Sequence, residues 1–383
     1  MIYLDTAATT KPKAEVVEAM MPYFTEKWHN PSSLYGDATN VKQDIESARK
    51  TVADYIGAKA DEVFFTSSGS ESNCWAIQGF VNYWLAKGML PVVITTPIEH
   101  KSIMACVENL NNVDVHYVKV DEYGVVDLQS LEDLLHKHRN MIFNGATLVS
   151  VQAANNEIGT IQSIKKIAKI VHKYDAVFHT DATQAFGQLL IDVNDCEIDM
   201  MTASGHKIGA PKGVGFLYKH ENVLINPLIY GSQMDYMRGG TENVPYIIGM
   251  AKAVELCQKN HAEKIYNLLN VRDYAIAKLK SKFDCQVNGN EHNRLPNNIN
   301  ITFNQNISGE GLLYMLDMSE IQVSTGSACN STSIEPSYVL KAIGLTDEEA
   351  NKTIRITISE DTKHTNIDYL IAEIDKAIKV IEV

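Results

Sequence analysis

Short runs of β-branched and aromatic residues alternate with longer amphipathic segments between about residues 60 and 220. The apolar runs predict strands, and segments such as 164–174 have the helical spacing of apolar positions. This alternation is typical of a mostly parallel sheet covered by helices. We therefore expect an α/β fold with a seven-stranded sheet, its strands at Val63–Thr66, Val92–Thr95, Val113–Val118, Thr147–Val151, Val177–Thr180, Met200–Thr202 and Gly215–Tyr218.

The pattern changes after about residue 243. A long helical stretch runs through Met250–Cys257 towards Leu279, and the remainder mixes strands and helices in an α+β pattern. At 383 residues the chain is also long for one ordinary core. We expect a large domain over residues 14–258 and a smaller α+β domain made of residues 1–13 and 259–383.

Composition narrows the class of partner. The formal net charge of −13 argues against nucleic acid or an anionic membrane as a general partner. No apolar run reaches membrane-spanning length, and Met1–Thr6 lacks the features of a signal peptide. The six cysteines include no C-x-x-C pair, which is unlike a disulfide framework or a zinc site. We expect free thiols in a reducing cytoplasm and no bound metal.

Lys207 is the residue that packing explains least well. It follows an apolar run in Ser204-Gly205-His206-Lys207, and more glycines come after it. Imine chemistry requires a shielded amine with a lowered pKa. We therefore interpret Lys207 as the lysine that forms a Schiff base with pyridoxal phosphate.

Three further segments place polar residues where strands of such a sheet would end. Asp181 could keep the cofactor's pyridine nitrogen protonated, or it could be a turn or cap residue. Gly69 and Ser70 open a predicted helix, whose free N–H groups suit a phosphate as well as an ordinary N-cap. His100 follows a strand, so it could stack on the cofactor ring and move protons, or serve as a cap.

Two residues of the C-terminal part have unusual surroundings. Cys329 lies among Ser, Thr, Gly, Ala and Asn residues, which indicates an accessible loop in which a thiolate could act as a nucleophile. An incidental loop cysteine is the alternative. Arg355 stands in an apolar strand-like run, so it needs either a structural ion pair or a substrate carboxylate.

Taken in order, these motifs resemble the cysteine desulfurases of the NifS/IscS class, within the type I fold of pyridoxal-phosphate enzymes. The resemblance covers nearly the whole chain, and the segment after Cys329 resembles the long-loop group. It is carried by Tyr3-Leu4-Asp5-Thr6-Ala7-Ala8-Thr9-Thr10, His29-Asn30-Pro31-Ser32-Ser33, Glu99-His100-Lys101, Asn155-Asn156-Glu157-Ile158-Gly159, Asp181-Ala182-Thr183-Gln184, Ser204-Gly205-His206-Lys207, Arg238-Gly239-Gly240-Thr241 and Gly326-Ser327-Ala328-Cys329.

The resemblance implies a role for each matched residue. Lys207 would bind the cofactor covalently, Asp181 would pair with its pyridine nitrogen, and His100 would stack on its ring. Arg355 and Asn30 would hold the substrate carboxylate. The remaining cofactor contacts would come from Asn156 and Gln184 on the ring, from Gly69, Ser70, Ser204 and His206 on the phosphate, and from Thr241 on the phosphate of the other subunit of a homodimer.

The implied reaction converts L-cysteine to L-alanine. Lys207 would move the α-proton, and the Cys329 thiolate would take the substrate sulfur as a persulfide for delivery to an acceptor protein in iron–sulfur cluster, thio-cofactor or tRNA thiolation pathways. A selenocysteine lyase or an aminotransferase of the same fold is the nearest alternative. A non-enzymatic sulfur-carrier or interaction protein is a more distant one.

Overall fold

The computed structural model describes residues 1–138, 146–259, 261–305, 307–325 and 335–381. Its strands are β1 (Ile2–Tyr3), β2 (Val63–Thr66), β3 (Val92–Thr95), β4 (Asp114–Tyr117), β5 (Thr147–Ser150), β6 (Val177–Asp181), β7 (Met200–Ser204), β8 (Gly215–Lys219), β9 (Cys285–Val287), β10 (Asn298–Phe303), β11 (Ile321–Gln322) and β12 (Thr353–Thr357). Its α-helices are α1 (Ala14–Met20), α2 (Pro22–Thr25), α3 (Gly36–Ile56), α4 (Gly69–Ala86), α5 (Lys101–Glu108), α6 (Leu128–His138), α7 (Ile164–His172), α8 (Val244–Gln258), α9 (His261–Lys282), α10 (Gly309–Met318), α11 (Tyr338–Ala342), α12 (Asp347–Asn351) and α13 (His364–Ile381).

Seven strands form the large sheet, in the order β2-β8-β7-β6-β5-β3-β4. The strands β7, β6, β5, β3 and β4 are parallel, whereas β8 is antiparallel to both of its neighbours. All seven predicted strands are present, with boundaries that differ by at most two residues. The prediction of an α/β fold built on a mostly parallel seven-stranded sheet is therefore confirmed.

The strand directions explain where a site can form. Because β8 runs against both β2 and β7, β2 points the same way as the parallel strands. The segments after β2, β3, β5, β6 and β7 therefore all leave the same edge of the sheet. Ligands of open α/β sheets bind at this carboxyl edge.

Apolar side chains form separate cores. The main core lies on one face of the large sheet, against α3, α7 and α8, and another core lies on the other face, against α4 and α5. A separate core, the second core, joins Leu4 to β10, β12, α9, α10 and α13, and its three-stranded sheet has the order β12-β10-β9. The domain boundaries at 13/14 and 258/259 stay a prediction.

The long helical stretch expected after residue 243 is two helices. Lys259, directly after α8, adopts extended backbone angles of φ −69° and ψ 122°, which ends the helical hydrogen-bond ladder, and α9 begins at His261. Within the described ranges, no helix combines the length and the apolar character needed to cross a bilayer.

Candidate active site

Asp181 occupies the carboxyl end of β6 and is only 5% exposed. Its Oδ2 accepts a hydrogen bond from Asn73 Nδ2 over 2.7 Å, and its Oδ1 accepts from the Thr183 backbone N–H over 2.8 Å. Asn73 belongs to α4, which begins just beyond the carboxyl end of β2. A buried carboxylate held by two donors is fixed in direction, as pairing with a protonated pyridine nitrogen requires.

His100 belongs to the same hydrogen-bond network as Asp181. Asn73 Nδ2 also lies 3.0 Å from Ser102 Oγ, which in turn lies 2.8 Å from His100 Nδ1. The Ser102 backbone N–H donates to Nδ1 over 3.1 Å, so the neutral ring carries its proton on Nε2. Burial is the largest influence and lowers the pKa of His100, against the opposing effect of Asp181. His100 is also the N-cap of α5, which confirms the cap interpretation, and its role toward the cofactor stays a prediction.

Lys207 ends a single 3₁₀ turn, Gly205–Lys207, directly after β7. Its Nζ donates to the backbone carbonyls of Ala7 and Ala8 over 2.5 and 2.8 Å. Gln184 Nε2 donates to the same Ala7 carbonyl over 3.0 Å. The N-terminal segment therefore brings Lys207 and Gln184 together.

Gly69 opens α4 beside the carboxyl ends of β6 and β7. A Cβ at this position would lie 2.9 Å from Thr183 Oγ1 and 3.5 Å from Ser204 Cβ, so only glycine leaves the space open. Thr183 Oγ1 is buried and has no hydrogen-bond partner in the described part of the chain. A helix N-terminus, an unpartnered hydroxyl and the buried Ser204 fit a phosphate group. The residues present thus fit pyridoxal phosphate at both its ring and its phosphate.

His206 and Ser70 are also predicted to hold the phosphate, and they lie close to Ser204 and Gly69 in the sequence. His206 Nδ1 lies 3.1 Å from Thr9 Oγ1, and burial, reinforced by Lys207, lowers the pKa of His206 to about 4. The His206 ring is therefore neutral at physiological pH and can donate one N–H. Ser70, the second residue of α4, is exposed.

Arg355 on β12 is only 5% exposed and already has partners. One terminal nitrogen forms a 2.9 Å ion pair with Asp5, and the other donates to the Asn156 backbone carbonyl over 3.1 Å. Its Nε is buried and has no hydrogen-bond partner among the described residues. Arg355 therefore has the structural ion pair that the sequence left open. Asn156 contacts Arg355 through its backbone carbonyl and not through its side chain.

Asn30 and Thr241 are two predicted site residues at the surface. Both are exposed, and in the described ranges neither side chain hydrogen-bonds to the residues around Lys207. Asn30 Oδ1 accepts from the Ser32 backbone N–H, which forms a local turn. The segment that carries Thr241 is tied to the first turn of α4 by a 2.9 Å ion pair between Arg238 and Glu71.

Cys329 lies outside the described residues, but residues on either side of it contact the site. Ser324 pairs with Arg355 through backbone hydrogen bonds of 3.0 and 2.6 Å. Ser337 Oγ lies 2.5 Å from Glu157 Oε2, and Tyr338 Oη donates to the carbonyl of Glu99, next to His100.

Sequence reasoning missed several supporting residues. Asn73 and Ser102 connect Asp181 to His100, and Asp5 pairs with Arg355. Burial raises the pKa of Glu99 to about 8 and that of Glu157 to about 7, although hydrogen bonds from Thr96 and Ser337 oppose it. The signal available was that Glu99 and Glu157 sit inside the motifs at His100 and Asn156.

Comparisons with known proteins agree with this geometry. The family model of class-V aminotransferases matches residues 2–370. The cysteine desulfurase IscS of Dictyoglomus turgidum is 41% identical over 382 residues, which are 99% of this chain and 94% of that protein. A solved NifS-like protein superposes with a TM-score of 0.90 at 32% identity over 99% of each chain. SspA, solved in complex with cysteine, is 33% identical with a TM-score of 0.81, over 94% of this chain and 99% of its own.

The chain belongs to the class-V aminotransferase family of pyridoxal-phosphate enzymes. Within that family it is a cysteine desulfurase of the NifS/IscS class. The predictions of family, fold, cofactor and enzyme class are confirmed.

Proposed function

We propose that this enzyme moves sulfur from L-cysteine to Cys329, with the residues around Lys207 in the roles predicted from the sequence. The proposal rests on how these residues are connected. Lys207, Asp181 and His100 form a cluster at the carboxyl edge of the sheet. The segments on either side of Cys329 form hydrogen bonds with Arg355, Glu157 and Glu99, which lie next to that cluster. A nucleophile confined near a fixed substrate gains rate from proximity.

Pyridoxal phosphate, when bound, withdraws electron density from the substrate's α-carbon. Asp181 would keep the pyridine nitrogen protonated, since Asn73 and Thr183 hold its carboxylate in place. Lys207 would bind the cofactor covalently, and its Nζ, once the substrate amine has replaced it, would take the α-proton. Gln184 and Asn156 would contact the ring, and Gly69, Ser70, Ser204 and His206 would hold the phosphate.

The sulfur transfer needs no reactant other than the enzyme and the substrate. The Cys329 thiolate attacks the substrate sulfur, a sulfur–sulfur bond forms, and the carbon–sulfur bond breaks. The carbon fragment gains a proton and leaves as alanine, while Cys329 keeps the sulfur as a persulfide. His100 presents an N–H at Nε2 and can exchange protons with groups in the site, because its low pKa leaves the ring neutral near pH 7.

The substrate carboxylate is assigned to Arg355, with Asn30 as a second contact. Arg355 Nε is buried without a hydrogen-bond partner in the described ranges, so it offers a donor that Asp5 and Asn156 do not use. Guanidinium groups bind carboxylates through paired N–H donors. Asn30 is exposed, so its contribution requires that its loop be covered by another surface.

A homodimer would supply that surface. Leu34 is fully exposed, and Trp28 and Tyr230 are 67% and 78% exposed, which is unusual for large apolar side chains on two neighbouring segments. Residues 31–32 and 233–235 line one cavity, so the two segments meet. Thr241 follows the second segment and would reach the phosphate of the other subunit. Analytical ultracentrifugation tests the dimer, and a monomer at micromolar concentration would contradict it.

The persulfide must pass its sulfur to a thiol or another nucleophile, and we assign this role to an acceptor protein of a sulfur-delivery pathway. Cys74, Cys106, Cys196, Cys257 and Cys285 are free thiols. Free thiols suit a reducing compartment and support a cytoplasmic location.

Turnover of L-cysteine by three variants tests the proposal. Cys329→Ala should lose alanine and sulfide release while it keeps the visible absorbance of the bound cofactor. Lys207→Ala should lose both. Cys285→Ala, which changes a thiol in the second core, should keep both. Unchanged turnover in Cys329→Ala would overturn the desulfurase mechanism and favour a selenocysteine lyase or an aminotransferase.

A further inference from the structure

A second group of polar side chains lies at the opposite edge of the large sheet. Asp114 is the first residue of β4, the edge strand, and His116 follows two positions later. Side chains two residues apart on a strand point to the same face. The register pairs Asp114 with Val92 and His116 with Ile94, so both point to the face that carries the main core.

His138 approaches Asp114 and His116 from helix α6. It is the last residue of α6, and it shares a buried helix face with Leu131 and Leu135. These leucines pack into the main core together with Val92 and Ile94. The carboxyl end of α6 therefore lies over the beginning of β4, and His138 faces Asp114 and His116.

The three side chains are close enough to share one ion. Asp114 Oδ2 lies 2.9 Å from His116 Nε2 and 3.7 Å from His138 Nδ1, and the three possible ligand atoms all lie within 4.8 Å of one another. Two ligands bound tetrahedrally at about 2.0 Å lie roughly 3.3 Å apart. The measured separations bracket that value.

The ring nitrogens lack partners that protein groups should supply. His138 is 3% exposed, and neither of its ring nitrogens has a hydrogen-bond partner among the described residues. His116 Nε2 is also buried without one, since its approach to Asp114 lacks hydrogen-bond geometry. Unsatisfied buried polar atoms are costly. An ion between these groups would satisfy one nitrogen of each ring.

We propose that Asp114, His116 and His138 form a binding site for a divalent cation of the zinc type. Imidazole nitrogens with one carboxylate oxygen suit Zn²⁺ and its borderline neighbours better than Mg²⁺ or Ca²⁺, which prefer oxygen ligands. The ion can enter from solvent, since the side chains of Asp114 and His116 are 34% and 21% exposed. The site uses no thiolate, so the absence of a C-x-x-C pair from the sequence does not argue against it.

The position in the fold indicates a structural role. The catalytic cluster lies at the carboxyl ends of the strands, whereas Asp114 begins β4 at the amino end. A bound ion would join the edge strand to the end of α6 and would leave the desulfurase site unchanged. We therefore expect zinc to raise the thermal stability of the enzyme without being required for turnover.

Zinc titration of the cofactor-loaded enzyme against a chromophoric chelator tests the site, with the thiols alkylated so that cysteines do not compete. Native protein should bind one zinc ion per chain. The variants His138→Gln and Asp114→Asn should bind this ion at least tenfold more weakly. The matched control is His136→Gln, an exposed histidine on the same turn of α6, and it should bind like the native enzyme. Zinc should also raise the melting temperature of native and His136→Gln protein only.

Two results would overturn the proposal. One is equal zinc binding by native protein and both site variants, and the other is no binding by native protein. Asp114→Asn changes a partly exposed side chain, so it gives an answer even where His138→Gln fails to fold. X-ray absorption of the zinc-loaded native enzyme should show nitrogen and oxygen ligands at about 2.0 Å, and sulfur ligands at about 2.3 Å would contradict the assignment.

Discussion

Asn73 donates through one amide nitrogen to Asp181 Oδ2 over 2.7 Å and to Ser102 Oγ over 3.0 Å. A single side chain of α4 therefore connects the carboxylate at the end of β6 to the imidazole at the start of α5. The connection fixes the direction of Asp181 and the tautomer of His100 together. Its removal should affect cofactor binding and proton transfer in the same variant.

Asn73→Ala should bind pyridoxal phosphate about tenfold to a hundredfold more weakly, because hydrogen bonds to charged groups contribute about 1.5–3 kcal/mol. Cofactor affinity is measured by titrating apoenzyme and following the visible absorbance. Asn109→Ala, an exposed amide at the end of α5, is the control and should bind normally. Equal affinities of the two variants would show that Asn73 does not position Asp181.

Gly69→Ala tests the phosphate site by filling it. The new Cβ would lie 2.9 Å from Thr183 Oγ1, and such overpacking costs about 1–3 kcal/mol, so cofactor affinity should fall about fivefold to a hundredfold. Gly36→Ala is matched to it, since Gly36 also opens a helix but has no atom within 4 Å of the added Cβ. Loss of affinity in both variants, or in neither, would argue against a phosphate beside Gly69.

Arg355→Lys tests carboxylate recognition. Lysine keeps the charge but loses the planar pair of donors, so the preference for L-cysteine over cysteamine, which lacks the carboxylate, should fall about tenfold in kcat/KM. If Arg355 had a purely structural role, the substitution would lower kcat/KM equally for both substrates. Arg272→Lys changes a buried arginine that donates to the main-chain carbonyls of Arg294 and Leu295, and it should keep the native preference.

Glu99→Gln tests the buried acid next to His100. The folded pKa of about 8 lies above that of an unfolded glutamate, so the folded native protein holds an extra proton between about pH 5 and pH 8. The unfolding free energy of native protein should therefore fall relative to that of Glu99→Gln, by up to about 1.4 kcal/mol per pH unit as the pH rises through this range. Urea unfolding at pH 5.5, 7 and 8 measures the difference. A difference independent of pH would mean that Glu99 is ionised throughout.

The sequence predicted the strands and the residues at their carboxyl ends because both signals are local. The apolar runs from Val63 to Tyr218 each mark one strand, and Lys207, Asp181 and His100 stand at strand ends in the sequence as they do in the fold. The break between α8 and α9 was missed because neither glycine nor proline marks it.

The supporting contacts could not be predicted because they join distant parts of the chain. Asp5 meets Arg355 across 350 positions, and Asn73 meets Asp181 across 108. Lys207 and Gln184 share the main-chain carbonyl of Ala7, an atom that every residue possesses and that no side-chain pattern reveals. Only the packing of the N-terminal segment against the loop after β7 brings these atoms together.

Transfer of the substrate sulfur to Cys329 can be detected directly. Cofactor-loaded enzyme is mixed with one equivalent of L-cysteine without reductant, its thiols are alkylated, and the peptides are examined by mass spectrometry. We expect one added sulfur atom on the peptide that holds Cys329, formed together with one equivalent of alanine, and no added sulfur in Lys207→Ala. Alanine formed without sulfur on Cys329, or with the sulfur on another cysteine, would contradict it.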